Sequence, residues 1–259
     1  MNVKGCTRAY RKDRRQKHDN YRRTYDNHLG PIYTWMHGGT DTAIASGAAD
    51  VAKIAESLSR TGLAVDLGAG FGMHAIPLAR QGFRVVAIDT CAALLDELRS
   101  HQDNLQIETV HDDLQSFRQY LPQPPLLVLC MGDTITHLPD HDSVTRLIGA
   151  VSSEMETGGH FVITLRDYST ALTGEQRFIP VRSTEHRILT CFLEYTASQF
   201  TVHDIVHEWN GTRWTMAVSA YRKLRLSPVW LVNALKVNHF AVEQRIGMSG
   251  MVHLTAHRV

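Results

Sequence analysis

The chain has 259 residues, 43% of them hydrophobic and 20% charged, and a formal net charge of +1. This composition suits a globular chain with an ample core and excludes a collagen-like or disordered one. No apolar run approaches the ~18–20 residues of a membrane span. The four cysteines, Cys6, Cys91, Cys130 and Cys191, are too dispersed for a disulfide framework or a zinc knuckle. A cytoplasmic protein with reduced thiols and no membrane partner is expected.

Residues 1–23 hold nine Lys and Arg against Asp13 and Asp19, about +7, and the remainder carries eighteen basic and twenty-four acidic residues, about −6. The first stretch lacks an apolar period and reads as a poorly ordered, solvated arm; an arm for nucleic acid is the competing reading. Residues 24–60 form a second unit. Tyr33, Trp35 and Met36 sit among Pro and Gly there, either packing on the core or forming a lid over a ligand. An amphipathic helix over 40–59 follows, with Ile44, Val51, Ile54 and Leu58 on its apolar side.

The third unit, 61–259, opens on a strand from Leu63 that reaches Asp66. Gly68, Gly70 and Gly72 then allow a tight turn and close backbone approach by a ligand. A helix containing Ile76 and Leu78 leads to a strand over 83–89 that ends in Asp89. Further strands are expected at 105–110, 126–131 and 160–165, alternating with helices at 92–100, 114–120 and 142–155. LLVLCM at 126–131 is uninterruptedly apolar, as in a strand buried on both faces of a parallel sheet. This alternation predicts an α/β fold, a doubly wound and mostly parallel sheet, with ligands bound beyond the carboxyl ends of its strands.

From about residue 171 the period changes to two. Strands at 187–195, 199–208 and 213–223 predict an antiparallel insertion, about 171–226, that extends or caps the sheet; Asn210-Gly211 marks a hairpin. Ser227 and Pro228 supply an N-cap and first position for a last helix. Strands at 240–245 and 251–257 close the sheet as an antiparallel edge pair. His203 and His207 share a strand face, but no third metal ligand accompanies them, and no metal is expected.

A dinucleotide fingerprint needs glycine at its sixth position, and counting from Gly68 that position is Met73. The pattern D-x-G-x-G-x-G, with Asp89 about twenty residues on, instead resembles the first motif of class I S-adenosylmethionine-dependent methyltransferases. The resemblance runs from Leu63 to about Tyr168. It implies the Rossmann-like fold of that family, S-adenosylmethionine as cofactor and S-adenosylhomocysteine as product. Gly68, Gly70 and Gly72 would face the methionine part, Asp89 the ribose hydroxyls, and Asp113 the adenine, with Asp112 as a rival neighbour, and Asp66 and Leu114 would also hold the cofactor. Tyr33, Met131 and Gly132 would complete the cofactor wall. One carboxylate can accept from both hydroxyls of a diol, so the residue types suit these roles.

CMGDTITHLPD at 130–140 and GGHFVITLRDY at 158–168 are similar to stretches of glycine N-methyltransferase and its small-molecule relatives. The resemblance implies that Asp133, His137 and Arg166 face the methyl acceptor, Arg166 gripping a carboxylate. Asp133 stands where that family has Asn, adding a negative charge that could attract an amine or take its proton. Asp167 replaces another Asn and could neutralise Arg166. The expected reaction is methyl transfer to a small acceptor, an amine or amino-acid-like nitrogen. The competing readings are O- or C-methylation, other chemistry of the same cofactor, and a non-catalytic partner with an RNA-binding arm. The Asn-Pro-Pro-aromatic mark of base amino-methylating enzymes is absent after the fourth strand, so nucleic acid is not the expected substrate.

Overall fold

The strands β1 (Leu63–Leu67) and β4 (Leu127–Cys130) are buried along their whole lengths in the computed structural model, which describes residues 28–58, 60–247 and 250–259. Alternate side chains feed two cores. Leu63, Val65, Leu67, Val128 and Cys130 pack on one side of the sheet, and Ala64, Leu127 and Leu129 on the other. Such strands leave neither face to water, the condition of a parallel sheet layered between helices. Each fully buried leucine contributes roughly 1.5–3 kcal/mol.

Helices α1 (Gly30–Met36) and α2 (Thr40–Ala55) precede β1. After it come α3 (Ala75–Arg80), β2 (Arg84–Asp89), α4 (Ala92–His101) and β3 (Ile107–His111). Following β4, α5 (His141–Glu154) leads to β5 (His160–Leu165). β1 pairs with β2 and β4, β2 with β3, and β4 with β5, all parallel. The chain therefore reverses its direction of travel across the sheet between β1 and β4, and a crevice opens at the carboxyl ends there. Val51, Ile54, Ala75 and Leu78 cover one face; Val144, Leu147, Ile148 and Val151 of α5 cover the other.

The insertion is a separate antiparallel sheet of β6 (Phe178–Ser183), β7 (Arg187–Tyr195), β8 (Gln199–Trp209) and β9 (Trp214–Leu224), in that order. It caps the larger sheet without extending it, and it has one strand more than the sequence pattern gives. β6 reads FIPVRS, which lacks alternation, and its pairing shifts between Pro180 and Arg182. Proline is tolerated there because β6 is an edge. The β8–β9 loop is longer than a two-residue turn: Asn210 Oδ1 accepts from the backbone amides of both Thr212 and Arg213.

The chain ends with α6 (Pro228–Val237), β10 (Phe240–Ile246) and β11 (Val252–Arg258). β11 lies antiparallel between β5 and β10, giving the order β10-β11-β5-β4-β1-β2-β3. Two local expectations differ from the structure. Ser227 occupies the N-cap position of α6, but its side chain makes no cap hydrogen bond; its carbonyl accepts from Leu231 N. The segment Leu114–Tyr120 is a 3₁₀ helix, cut short where Leu121 precedes Pro122, since the residue before proline avoids the α conformation. Residues 1–23 and the start of the 24–60 unit fall outside the described residues.

Candidate active site

The turn after β1 and the acid ending β2 are tied together. Gly68 N and Ala69 N donate to Ile88 O, and Gly70 N donates to Asp89 Oδ2 at 2.8 Å. Asp89 Oδ1 accepts from Cys91 N, also at 2.8 Å. Burial raises the Asp89 pKa above its ordinary value, and the amides of Cys91, Gly70 and Thr90 oppose that rise. Gly68 has φ +81°, and a Cβ there would lie 2.5 Å from Thr134 Cγ2, so the turn also needs glycine for its approach to the loop after β4. Gly70, at φ +53°, is different: a Cβ there meets Tyr33 and Leu94 at ordinary contact distances, and both of those residues line a cavity.

That cavity encloses about 690 Å³ of empty space including its open mouth, within the range of small-molecule sites. Of the residues expected from sequence, Tyr33, Gly68, Gly70, Asp89, Asp113, Leu114, Gly132 and His137 line it. Asp66, Gly72, Met131, Asp133 and Arg166 are not among its lining residues. Asp112 joins Asp113 at the wall. Asp113 accepts from Gln115 N at 2.9 Å as a helix cap, and Asp112 accepts from the Tyr120 hydroxyl at 2.7 Å. Tyr33, carried by α1, is half-buried; desolvation first, then the charges of Asp89 and Asp133, raise its pKa. Asp66 is 1% exposed, and burial pushes its carboxyl up to about 6, with His74 opposing.

At the other end, Gly132 N donates to Thr164 Oγ1, and Asp133 takes a left-handed conformation at φ 68°. The Asp133 carboxylate is a hub. Oδ1 accepts from Arg166 N at 2.7 Å; Oδ2 accepts from the Tyr168 hydroxyl at 2.9 Å and from Arg166 Nη1 at 3.1 Å. Lys223 Nζ lies 3.7 Å from Oδ2. Burial alone would raise the Asp133 pKa, but Lys223, the Arg166 amide, the Arg166 guanidinium and Tyr168 together hold it below the ordinary value. The acid paired with Arg166 is thus Asp133, not Asp167, whose Oδ1 accepts from Ser169 N. His137 ends a 3₁₀ turn, Thr134–His137, with its ring 5.5 Å from that of Tyr221. Burial, and then the Lys223 charge, drive its pKa well below the ordinary value, so the imidazole is neutral.

Sequence reasoning missed Lys223, Tyr221 and Thr134. Alternation along β9 places Tyr221 and Lys223 on one face, but YRKL offers two adjacent basic residues and does not say which one is buried.

Residues 64–159 match the family model described as a methyltransferase domain. An amino pentose methyltransferase from Micromonospora echinaspora, solved with S-adenosylmethionine bound, has the same fold. Its TM-score is 0.66 at 16% identity, over 83% of this chain and 92% of that one. The chain therefore has the fold of a class I methyltransferase around its methyltransferase-domain match. The residues present here fit S-adenosylmethionine, the ligand bound in that structure. Asp66 Oδ2 is buried and finds no hydrogen-bond partner among the described residues, which leaves an acceptor at the base of the turn for a ligand ammonium. Apart from its chain neighbours, no atom of the described residues lies within 4 Å of a Cβ built at Gly132, which leaves room beside the cavity wall.

Curated relatives match part of the chain, among them an N- and an O-methyltransferase. Glycine/sarcosine N-methyltransferase from Aphanothece halophytica is 25% identical over 111 residues, 42% of either chain. Ubiquinone biosynthesis O-methyltransferase from Serratia proteamaculans is 32% identical over 98 residues, 37% of this chain and 39% of that one. The chain thus spans about two fifths of the length of these relatives.

Gly70→Asn tests the cavity wall. Asparagine tolerates the left-handed backbone, so folding is spared, while its side chain enters the space between Tyr33 and Leu94. The expected result is a melting temperature within a few degrees of wild type and S-adenosylhomocysteine binding weakened more than about tenfold by calorimetry.

Proposed function

We propose that the chain transfers a methyl group from S-adenosylmethionine to a nitrogen of a small-molecule acceptor. One observation carries this reading: a single cavity has Asp89 and the glycine turn in one wall and the neutral imidazole of His137 in another. When bound, the cofactor supplies a methyl group already activated by its sulfonium. The protein's part is to align, to exclude water and to manage one proton. Asp89, Asp113 and the turn would hold the donor, with Tyr33 covering it. Gly132 and His137 would face the acceptor.

The state of the bases favours nitrogen. A neutral amine attacks with its own lone pair and loses its proton as or after the carbon–nitrogen bond forms. A hydroxyl must be deprotonated first. His137 is a weakened base, and Asp133 is held below the ordinary carboxyl pKa by its partners. His137 can accept the proton of a methylated ammonium at its imidazole nitrogen, but neither group is suited to ionising an alcohol. Oxygen is the competing acceptor, in view of the relative named as an O-methyltransferase. A carboxylate on the acceptor would meet the outer edge of Arg166, whose side chain is 52% exposed even though Nη1 holds Asp133.

The test uses S-adenosylmethionine with a labelled methyl group and a panel pairing amines with the corresponding alcohols, the product carbon being assigned by NMR. N-methyl products are expected. Label found solely on oxygen overturns the nitrogen assignment, and S-adenosylhomocysteine binding without turnover of any acceptor overturns the catalytic reading.

A further inference from the structure

The inner face of the insertion sheet holds polar atoms that the proposed transfer does not use. Alternation along β8 turns Phe200, Val202, Asp204 and Val206 to one side, and all four are buried. Asp204 is 1% exposed. Its Oδ1 accepts from Cys191 Sγ at 3.1 Å, while Oδ2 is buried with no hydrogen-bond partner among the described residues. Directly across the β8–β9 register stands Ser219, whose Oγ is in the same condition. His28 Nε2 is a third such atom, and His28 is near enough for its charge to act on Asp204. Burial raises the Asp204 pKa, against the pull of Cys191, Lys223, His28 and His203. Buried polar atoms in folded proteins are almost always matched, so three unmatched ones beside each other mark a place for a polar guest.

The place of this cluster relative to the cavity follows from β9. Its inward row is Ser219, Tyr221 and Lys223. Lys223 lies against Asp133, and the Tyr221 ring against His137, which lines the cavity. Ser219 is two residues on, roughly 6–7 Å further along the strand. A small acceptor whose nitrogen is at His137 would place its far end at Asp204. On the other side, Leu29 and Ile32 pack on Leu189 and Val206 and close the cluster off there.

We propose that Asp204 Oδ2, with Ser219 Oγ beside it, anchors a second hydrogen-bond donor of the methyl acceptor. The acceptor is then an amine carrying a further hydroxyl or amino group, not a simple alkylamine. The inference rests on the methyl-transfer reading for the nature of the guest, and it is tested by binding, independently of turnover.

The full-length chain, saturated with S-adenosylhomocysteine, is titrated calorimetrically with serinol and putrescine, and with their donor-poor counterparts isopropylamine and butylamine. Serinol or putrescine is expected to bind at least about tenfold more tightly than its counterpart, the scale of a hydrogen bond to a charged group. Asp204→Asn should reduce that preference to less than about threefold, and Ser219→Ala should reduce it in part, with S-adenosylhomocysteine affinity within about twofold of wild type in both. Should Asp204→Asn not fold, Ser219→Ala carries the comparison. Equal affinities within each pair, no amine binding, or a preference untouched by the substitutions would mean that ordered water alone fills the cluster, and would overturn the inference. Failure of the wild type to bind S-adenosylhomocysteine is a different result and tells against the transfer reading itself.

Discussion

Replacing Asp89 with alanine is expected to weaken S-adenosylhomocysteine binding by about a hundredfold or more while leaving the chain folded. The carboxylate accepts from Gly70 N and Cys91 N, which fixes the turn against the end of β2, and it borders the cavity into which a ribose diol would project. Hydrogen bonds to a charged group are worth roughly 1.5–3 kcal/mol each, so losing two from a diol accounts for the size of the effect. The cost to folding should be smaller. Burial raises the Asp89 pKa, so the ionised group is held in the fold at some expense, and its removal relieves part of what the lost amide bonds remove. Calorimetry with S-adenosylhomocysteine and a thermal melt separate the two effects. An affinity within about threefold of wild type would show that the diol is held elsewhere.

Asp89 was legible in the sequence because the signal is local. A glycine turn and an acid at the end of the next strand lie within one strand–helix–strand unit, and the register of β1 and β2 brings them together without further information. The same holds for the apolar run of β4, whose burial on both faces follows from its composition. The cluster around Asp133 was less legible because its contacts cross the whole chain. Asp133 has the appearance of a free carboxylate in CMGDTITHLPD, and only the docking of β9 supplies Lys223 to hold it. Arg166 has Asp167 as its chain neighbour, yet the bond goes to Asp133, and Asp167 turns to the Ser169 amide. β6 was missed for a related reason: Pro180 and Arg182 break the period-two pattern at an edge where alternation is not required.

Asp133→Asn is expected to destabilise the fold by about 3 kcal/mol at neutral pH, the low end of the cost of breaking a buried ion pair. Two partners compete for the credit. Arg166 is nearer at 3.1 Å but its side chain is 52% exposed, whereas Lys223, at 3.7 Å, is only 10% exposed. Solvent screens the first pair, so Lys223 is the charge that suffers when Asp133 is neutralised. Asparagine can still accept from the Arg166 amide, which sets the loss at the low end. The pH dependence has a definite sign. The folded-state pKa of Asp133 lies below its ordinary value of 3.8, so its contribution is present in full above that value and is lost as pH falls through the folded pKa. Urea unfolding should therefore show wild type and Asp133→Asn converging in strong acid and separating towards neutrality. Lys223→Met should be costly alone, because it removes the best-shielded partner of a buried carboxylate. When Asp133→Asn and Lys223→Met are combined, an amide faces a thioether with no buried charge left unpaired between them, and most of the stability should return. A pH-independent difference, or a double variant no better than the singles, would mean that Asp133 acts through its hydrogen bonds to Arg166 and Tyr168 and not through the charge it shares with Lys223.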